Sequence, residues 1–132
     1  MGQKQSLNDI VKPIGTIERE EFFVTVYNAQ NQPMYSFCTV DRSVKIFDKG
    51  KIIFEVEPQL QGKLQITNKT KYSEDVFADY LNILAEQALS MTKESASKDE
   101  TMHTYLSAYH VLTDTAQRII NGAYMRAEKK DE

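Results

Sequence analysis

Residues 44–57, with the sequence VKIFDKGKIIFEVE, decide how the first half of this chain folds. Apolar and polar side chains alternate on both sides of a turn at residues 48–50, which is the pattern of a half-buried β-hairpin. A three-residue loop, with Gly50 in the left-handed conformation of a bulge, pairs Phe47 with Lys51. This register is favoured over a two-residue turn because it keeps the apolar residues of both strands on one face. Those residues are Val44, Ile46, Ile52, Phe54 and Val56.

Three further segments around this hairpin have the alternation of β-strands. Residues 22–27 and 34–40 are rich in aromatic and β-branched side chains, and residues 64–67 form a shorter segment of the same kind. The sequence therefore predicts an antiparallel meander of about five strands. This sheet spans residues 16–71 and follows an arm at residues 1–15.

After the predicted sheet, the apolar period changes from two to about 3.6. Apolar side chains recur at spacings of three and four along residues 77–91 and again along residues 102–123. A capping box beginning at Ser97 separates the two stripes. We expect an antiparallel helical hairpin over residues 73–130, with about 20 residues in its first helix and about 30 in its second. The predicted fold class is α+β, in a single domain.

Composition and the N-terminal sequence limit the classes of protein to which this chain can belong. The chain has 132 residues and a net charge of −3, which suits one globular domain. It has neither a membrane-spanning apolar run nor a secretion signal, so we expect a cytoplasmic protein with Cys38 as a buried free thiol. The first six residues match the pattern for myristoylation of Gly2. We do not expect acylation, because one acyl chain with little basic charge nearby binds membranes only weakly.

The sequence contains no motif of the phosphate-loop, serine-hydrolase or zinc-protease classes. We therefore expect no enzymatic activity, no cofactor and no metal. His103 and His110 lie about 10 Å apart along a helix, too far to share a metal ion, and we interpret their alignment with Ser107 as a solvated face. Glu55 and Glu57 lie on one side of a strand, where cross-strand pairing with lysine is favoured over acid–base or Mg²⁺ chemistry.

The leading functional hypothesis is a non-enzymatic protein-interaction or assembly module. The helical stripes are long and regular, and the second helix is predicted to extend beyond the first, so that its last turns either cover one end of the sheet or meet another subunit. We expect the chain to form a homo-oligomer or to dock a partner protein through its C-terminal helices. The predicted interface residues are Tyr109, Ile119, Ile120, Ala123 and Tyr124.

The alternative hypothesis is a binder of single-stranded nucleic acid or of a nucleotide-like anionic ligand. Residues 42–71 carry seven Lys or Arg against three Asp or Glu, although the whole chain is acidic. Aromatic side chains interleaved with basic ones on a sheet are typical of surfaces that stack bases. The residues predicted on this face are Tyr35, Lys45, Phe47, Lys49 and Lys51.

Overall fold

A computed structural model describes residues 12–59, 62–94 and 99–126 of the chain. Gly2 and the predicted capping box at Ser97 lie outside these residues. The elements in chain order are β1 (Ile14–Glu20), β2 (Phe23–Asn28), β3 (Pro33–Cys38), β4 (Val44–Asp48), β5 (Lys51–Pro58), β6 (Leu64–Asn68), α1 (Glu74–Glu94), α2 (Asp99–Ile120) and β7 (Tyr124–Arg126). The strands form one sheet in sequence order, antiparallel from β1 to β6, with β7 parallel to β6. The predicted α+β class, antiparallel sheet and helical hairpin are confirmed.

Both helices pack on one face of the sheet and cross its strands. Phe54 of β5 stacks on Phe77 of α1, with ring centroids 3.9 Å apart. In its second half α1 reaches the segment before β1, where Gln87 Nε2 donates a hydrogen bond to the Lys12 carbonyl at 2.8 Å. The returning helix, α2, lies against the sheet residues of the same buried core. The apolar stripes predicted for both helices therefore face the sheet and each other.

The turn predicted for the β4–β5 hairpin is wrong. It contains two residues, Lys49 and Gly50, with φ angles of 54° and 80°. A bulge at Ile53 then shifts the register, so that Ile46 lies opposite Phe54. The predicted residue pairs are wrong, but the predicted face is largely right because the bulge restores the alternation beyond the turn. Val44, Ile46, Phe54 and Val56 are buried, and Ile53 rather than Ile52 packs against the core.

The alternation of side chains does not predict strand β1, because a bulge at Gly15 interrupts its pattern. The two partly buried apolar residues of this strand, Ile14 and Ile17, are consequently three positions apart instead of two. Gly15 lies so close to the next strand that a Cβ atom there would stand 2.3 Å from the carbonyl oxygen of Asn28. Only glycine fits this approach without movement of the backbone.

We expect Gly15→Ala to lower the free energy of unfolding by about 1–3 kcal/mol, because the added methyl group must displace backbone atoms. Chemical denaturation monitored by circular dichroism measures this change. Thr16→Ala is the matched control, since Thr16 is an exposed neighbour on the same strand. Equal effects of the two substitutions would contradict the close approach at Gly15.

Helix α2 is shorter than predicted, and the physical reason is Gly122. This residue has a φ of 76°. Its N–H donates to the Ile119 carbonyl, and the N–H of Ala123 donates to the Arg118 carbonyl, which together form a Schellman motif. The helix therefore ends at Ile120, and α1 and α2 contain 21 and 22 residues. The predicted overhang of the second helix is wrong.

After this turn, strand β7 is tied to the start of α1 by an ion pair. Arg126 donates two hydrogen bonds to the carboxylate of Glu74, at 2.8 Å and 3.0 Å. Asn68 Nδ2 donates a third at 3.3 Å. Burial alone would raise the pKa of Glu74, but the hydrogen bonds from Arg126 and Asn68 outweigh it and lower the pKa below its ordinary value. Glu74 is therefore ionised near neutral pH and fastens β7 to the hairpin.

We expect Arg126→Met to lower the melting temperature at pH 7 and to lose this effect as the solution becomes acidic. A carboxylate with a lowered pKa in the folded state stabilises the fold above its unfolded pKa of about 4.3, and this stabilisation is lost as the pH falls through the folded pKa. Thermal melts between pH 7 and pH 3 measure the difference. Lys71→Met, which removes an exposed cation, is the control. A decrease in melting temperature that stays constant between pH 7 and pH 3 would contradict the role of Glu74.

Candidate functional site: a groove along α2

The predicted interface residues at the end of α2 are, except for Ile120, wholly or partly buried within the chain, as is Tyr109 in the middle of the helix. Ile119 is only 1% exposed and belongs to the core, whereas Ile120 is 55% exposed. Tyr109 and Tyr124 are partly buried and pack against the core, and Ala123 is also partly buried. Most of this predicted interface is therefore occupied by contacts inside the protein. Self-association at this end stays a prediction and now depends on Ile120.

Two neighbouring substitutions separate these roles. We expect Ile119→Asp to destabilise the fold by several kcal/mol, because it places a carboxylate in the core, and Ile120→Asp to change stability by about 0.5 kcal/mol or less. Chemical denaturation measures both effects, and light scattering measures the mass of the folded Ile120→Asp variant. A mass lower than that of the unsubstituted protein would support self-association through Ile120. Equal destabilisation by the two changes would contradict the burial of Ile119.

Of the five residues predicted for a basic, aromatic sheet face, two come together, Phe47 and Lys49. Tyr35 pairs with Ile46 and therefore shares the buried face, where it is 0% exposed. Lys45 lies on the opposite face of the sheet, across from Glu55. Phe47 and Lys49 line a cavity of about 280 Å³ beyond the ends of β2 and β3, and Lys51 is exposed. The prediction that Tyr35 lines a ligand face is wrong.

A groove runs between α2 and the ends of β1, β2 and β3, together with the turn between β3 and β4. It consists of a cavity of about 220 Å³ and a second of about 130 Å³. Thr39 and Ser107 line both cavities, which makes the groove continuous. We call it the α2 groove. Its polar lining residues used below are Arg19, Arg42, His103, His110, Thr39 and Ser107.

Helical and strand periodicity place the polar residues of the α2 groove. His103, Ser107 and His110 recur at spacings of four and three, so they share the exposed side of α2. Arg19 pairs with Val24, which is buried beneath the helices, so the side chain of Arg19 lies on the helix-covered face of β1. These residues approach each other across the groove although they are far apart in sequence.

The turn between β3 and β4 supplies Arg42. Its backbone is left-handed, with a φ of 64°, and its N–H donates to the Cys38 carbonyl at 3.0 Å. Asp41 Oδ1 accepts a hydrogen bond from the Ser43 N–H at 2.9 Å. This backbone hydrogen bond lowers the pKa of Asp41. The Asp41 carboxylate is therefore engaged in holding the turn that presents Arg42.

The groove is cationic because strand alternation separates the charges of β1. Within the described part of the chain, neither Arg19 nor Arg42 has a carboxylate within 4.0 Å, and no carboxylate lines either cavity. Glu18 and Glu20 alternate with Arg19 and lie on the other face of the sheet. Glu18 there accepts a hydrogen bond from the hydroxyl of Tyr27 at 2.9 Å.

Exposed apolar side chains lie in and beside the turns that adjoin the groove at Thr39. Phe22, Phe23 and Val40 are 53%, 50% and 66% exposed. Thr39, which lines both cavities, precedes Val40 and donates hydrogen bonds from its N–H and its hydroxyl to the Phe22 carbonyl. Phe23 pairs with Glu20, so its side chain lies on the other face of the sheet, away from the groove. We call Phe22 and Val40 the apolar rim.

The other sequence candidates show no comparable arrangement. Cys38 is a free thiol and is buried, as expected. Glu57 lies opposite Gln65, and Glu55 lies opposite Lys45. In the ranges that the structure describes, His, Cys, Asp and Glu side chains form no group of three that could hold a metal ion. The described helices include none that is long and apolar enough to cross a membrane.

Comparisons of this chain with protein-family models, with curated proteins and with solved structures found no match. The α2 groove and its apolar rim therefore carry the functional argument.

Proposed function

We propose that this protein is a non-enzymatic binding module that docks an acidic segment of a partner protein in the α2 groove. The observation that carries the proposal is that Arg19 and Arg42 line a groove without a carboxylate partner among the described residues. A guanidinium presents a planar set of N–H donors that matches carboxylate or phosphate oxygens. An acidic side chain of a partner would supply the missing acceptors.

The apolar rim favours a protein partner over a nucleic acid. Clusters of exposed aromatic and aliphatic side chains bordered by polar groups are typical of protein-binding surfaces. A nucleic acid would meet a chain with a net charge of −3, which opposes long-range attraction of a polyanion. A short acidic segment carries far less charge, and apolar side chains beside its acidic residues can pack on Phe22 and Val40.

The proposal keeps the expected docking through the C-terminal helices and changes the surface. The sequence placed the interface at the end of α2, around Ile119 and Tyr124. The α2 groove instead uses His103, Ser107 and His110, within the first twelve residues of the helix. This part of the helix carries the imidazole and hydroxyl groups that can donate hydrogen bonds to an oxyanion.

Selection from a random peptide library with the full chain tests the proposal. We expect the selected peptides to combine acidic residues with aromatic or aliphatic ones. Arg42→Asn should weaken their binding about tenfold, because it removes a charge-assisted hydrogen bond. Asparagine is chosen because it tolerates the left-handed backbone of this turn. Val40→Ser, on the rim, should weaken binding as well. Isothermal titration of the selected peptides measures both effects.

The matched control removes positive charge away from the groove. Lys49→Gln combined with Lys51→Gln neutralises two exposed cations of the β4–β5 turn. Binding should be unchanged in this variant. If it is lost here and retained in Arg42→Asn, the ligand binds at the β4–β5 turn, and docking in the α2 groove is wrong. A library that yields no acidic peptides is equally contradictory.

A further inference from the structure

We infer that the α2 groove recognises two oxyanions about 10 Å apart, carried by an extended peptide with acidic side chains at positions i and i+3. The inference rests on the proposed function and names the segment that it docks. Its basis is that the groove is divided into two chemically similar halves. Each half combines one arginine with one histidine: Arg19 with His103, and Arg42 with His110.

The two halves are distinct because their cationic residues do not overlap. Arg19 lines only the cavity of about 130 Å³, and Arg42 lines only the cavity of about 220 Å³. Thr39 and Ser107 line both cavities and therefore lie at the boundary between the halves. Their hydroxyl groups can donate a hydrogen bond to an oxyanion in either half or to a backbone carbonyl of the ligand between them. Two separate anions therefore fit the lining better than one.

The helix fixes the distance between the halves. His103 and His110 are seven residues apart on α2, so they are separated by about 10 Å along its axis. Polyproline II structure repeats every three residues, with a rise of about 3.1 Å per residue, so side chains at i and i+3 point the same way about 9 Å apart. In a β-strand, side chains that share a face are about 7 Å or about 13 Å apart, which fits less well.

Oxyanions of two kinds share this chemistry. Carboxylates and phosphoryl groups both accept paired hydrogen bonds from guanidinium groups. Glutamate and phosphoserine peptides of the same spacing therefore form separate arms of the experiment. Both arms are expected to show the i, i+3 preference, and their relative affinities identify which oxyanion the halves accommodate better.

The experiment uses a series of fluorescent, proline-rich peptides of constant composition. Each peptide has one acidic residue at position i and a second at i+1, i+2, i+3 or i+4. Fluorescence anisotropy with the full chain measures affinity. We expect the i+3 peptide to bind about tenfold more tightly than the i+1 peptide, because only the first fills both halves. A peptide with one acidic residue should bind about as weakly as the i+1 peptide.

Two variants assign the preference to the two halves. Arg19→Gln and Arg42→Asn should each remove the i+3 preference, so that the doubly acidic peptides bind no more tightly than the singly acidic one. Both residues lie at exposed positions, and thermal melts confirm that the variants are folded. The combined Lys49→Gln and Lys51→Gln control should retain the preference.

The outcomes separate this inference from the proposed function. Tight binding of acidic peptides without dependence on spacing, but with dependence on Arg42, would overturn the two-oxyanion inference and leave docking in the α2 groove intact. A preference that survives Arg19→Gln would also overturn it. Failure of every acidic peptide to bind would overturn both proposals.

Discussion

The stacking of Phe54 on Phe77 is the contact on which the arrangement of the molecule depends. Both rings are fully buried, and their planes differ by 9°. The contact anchors α1 across the sheet, and the antiparallel return of α2 then places that helix along the strand ends, with His103 near Arg19 and Arg118 near Gly62. The groove follows from this geometry, because a cylindrical helix resting beside projecting β-turns leaves space between them.

The two faces of the sheet also separate the positive and negative charges of β1. Alternation along β1 directs Arg19 towards the helices and its neighbouring glutamates towards the open face. A protein with net charge −3 thereby acquires a local cationic groove. Salt at physiological concentration screens exposed charges beyond about 8 Å, so the acidic remainder of the surface has little effect on an anion already in contact with a guanidinium. Apolar contact at Phe22 and Val40 adds a contribution that salt does not screen.

Periodicity predicted most of the fold and little of the groove. The switch from alternation to helical spacing identifies the meander and the hairpin, because those patterns reflect burial on a single face. Periodicity does not predict strand β1, because its pattern is interrupted at Gly15. It also does not predict the end of α2, which depends on Gly122 as the helix cap. The alignment of His103 with His110 is visible in the sequence. The sequence alone indicates a solvated face there, because the strands and turns that oppose it are distant in the chain and no local pattern relates them.

The backbone of Arg42 connects folding with recognition. A left-handed conformation costs an ordinary residue about 1–2 kcal/mol, and glycine or asparagine would avoid much of that cost. Two backbone hydrogen bonds of 3.0 Å hold this conformation in the turn. The Arg42 N–H donates to the Cys38 carbonyl, and the Cys38 N–H donates to the Ser43 carbonyl. These bonds hold the Cα of Arg42 in place before any ligand arrives. Less backbone freedom is then lost on binding, so the strained turn would favour the proposed recognition of an anion by the Arg42 side chain.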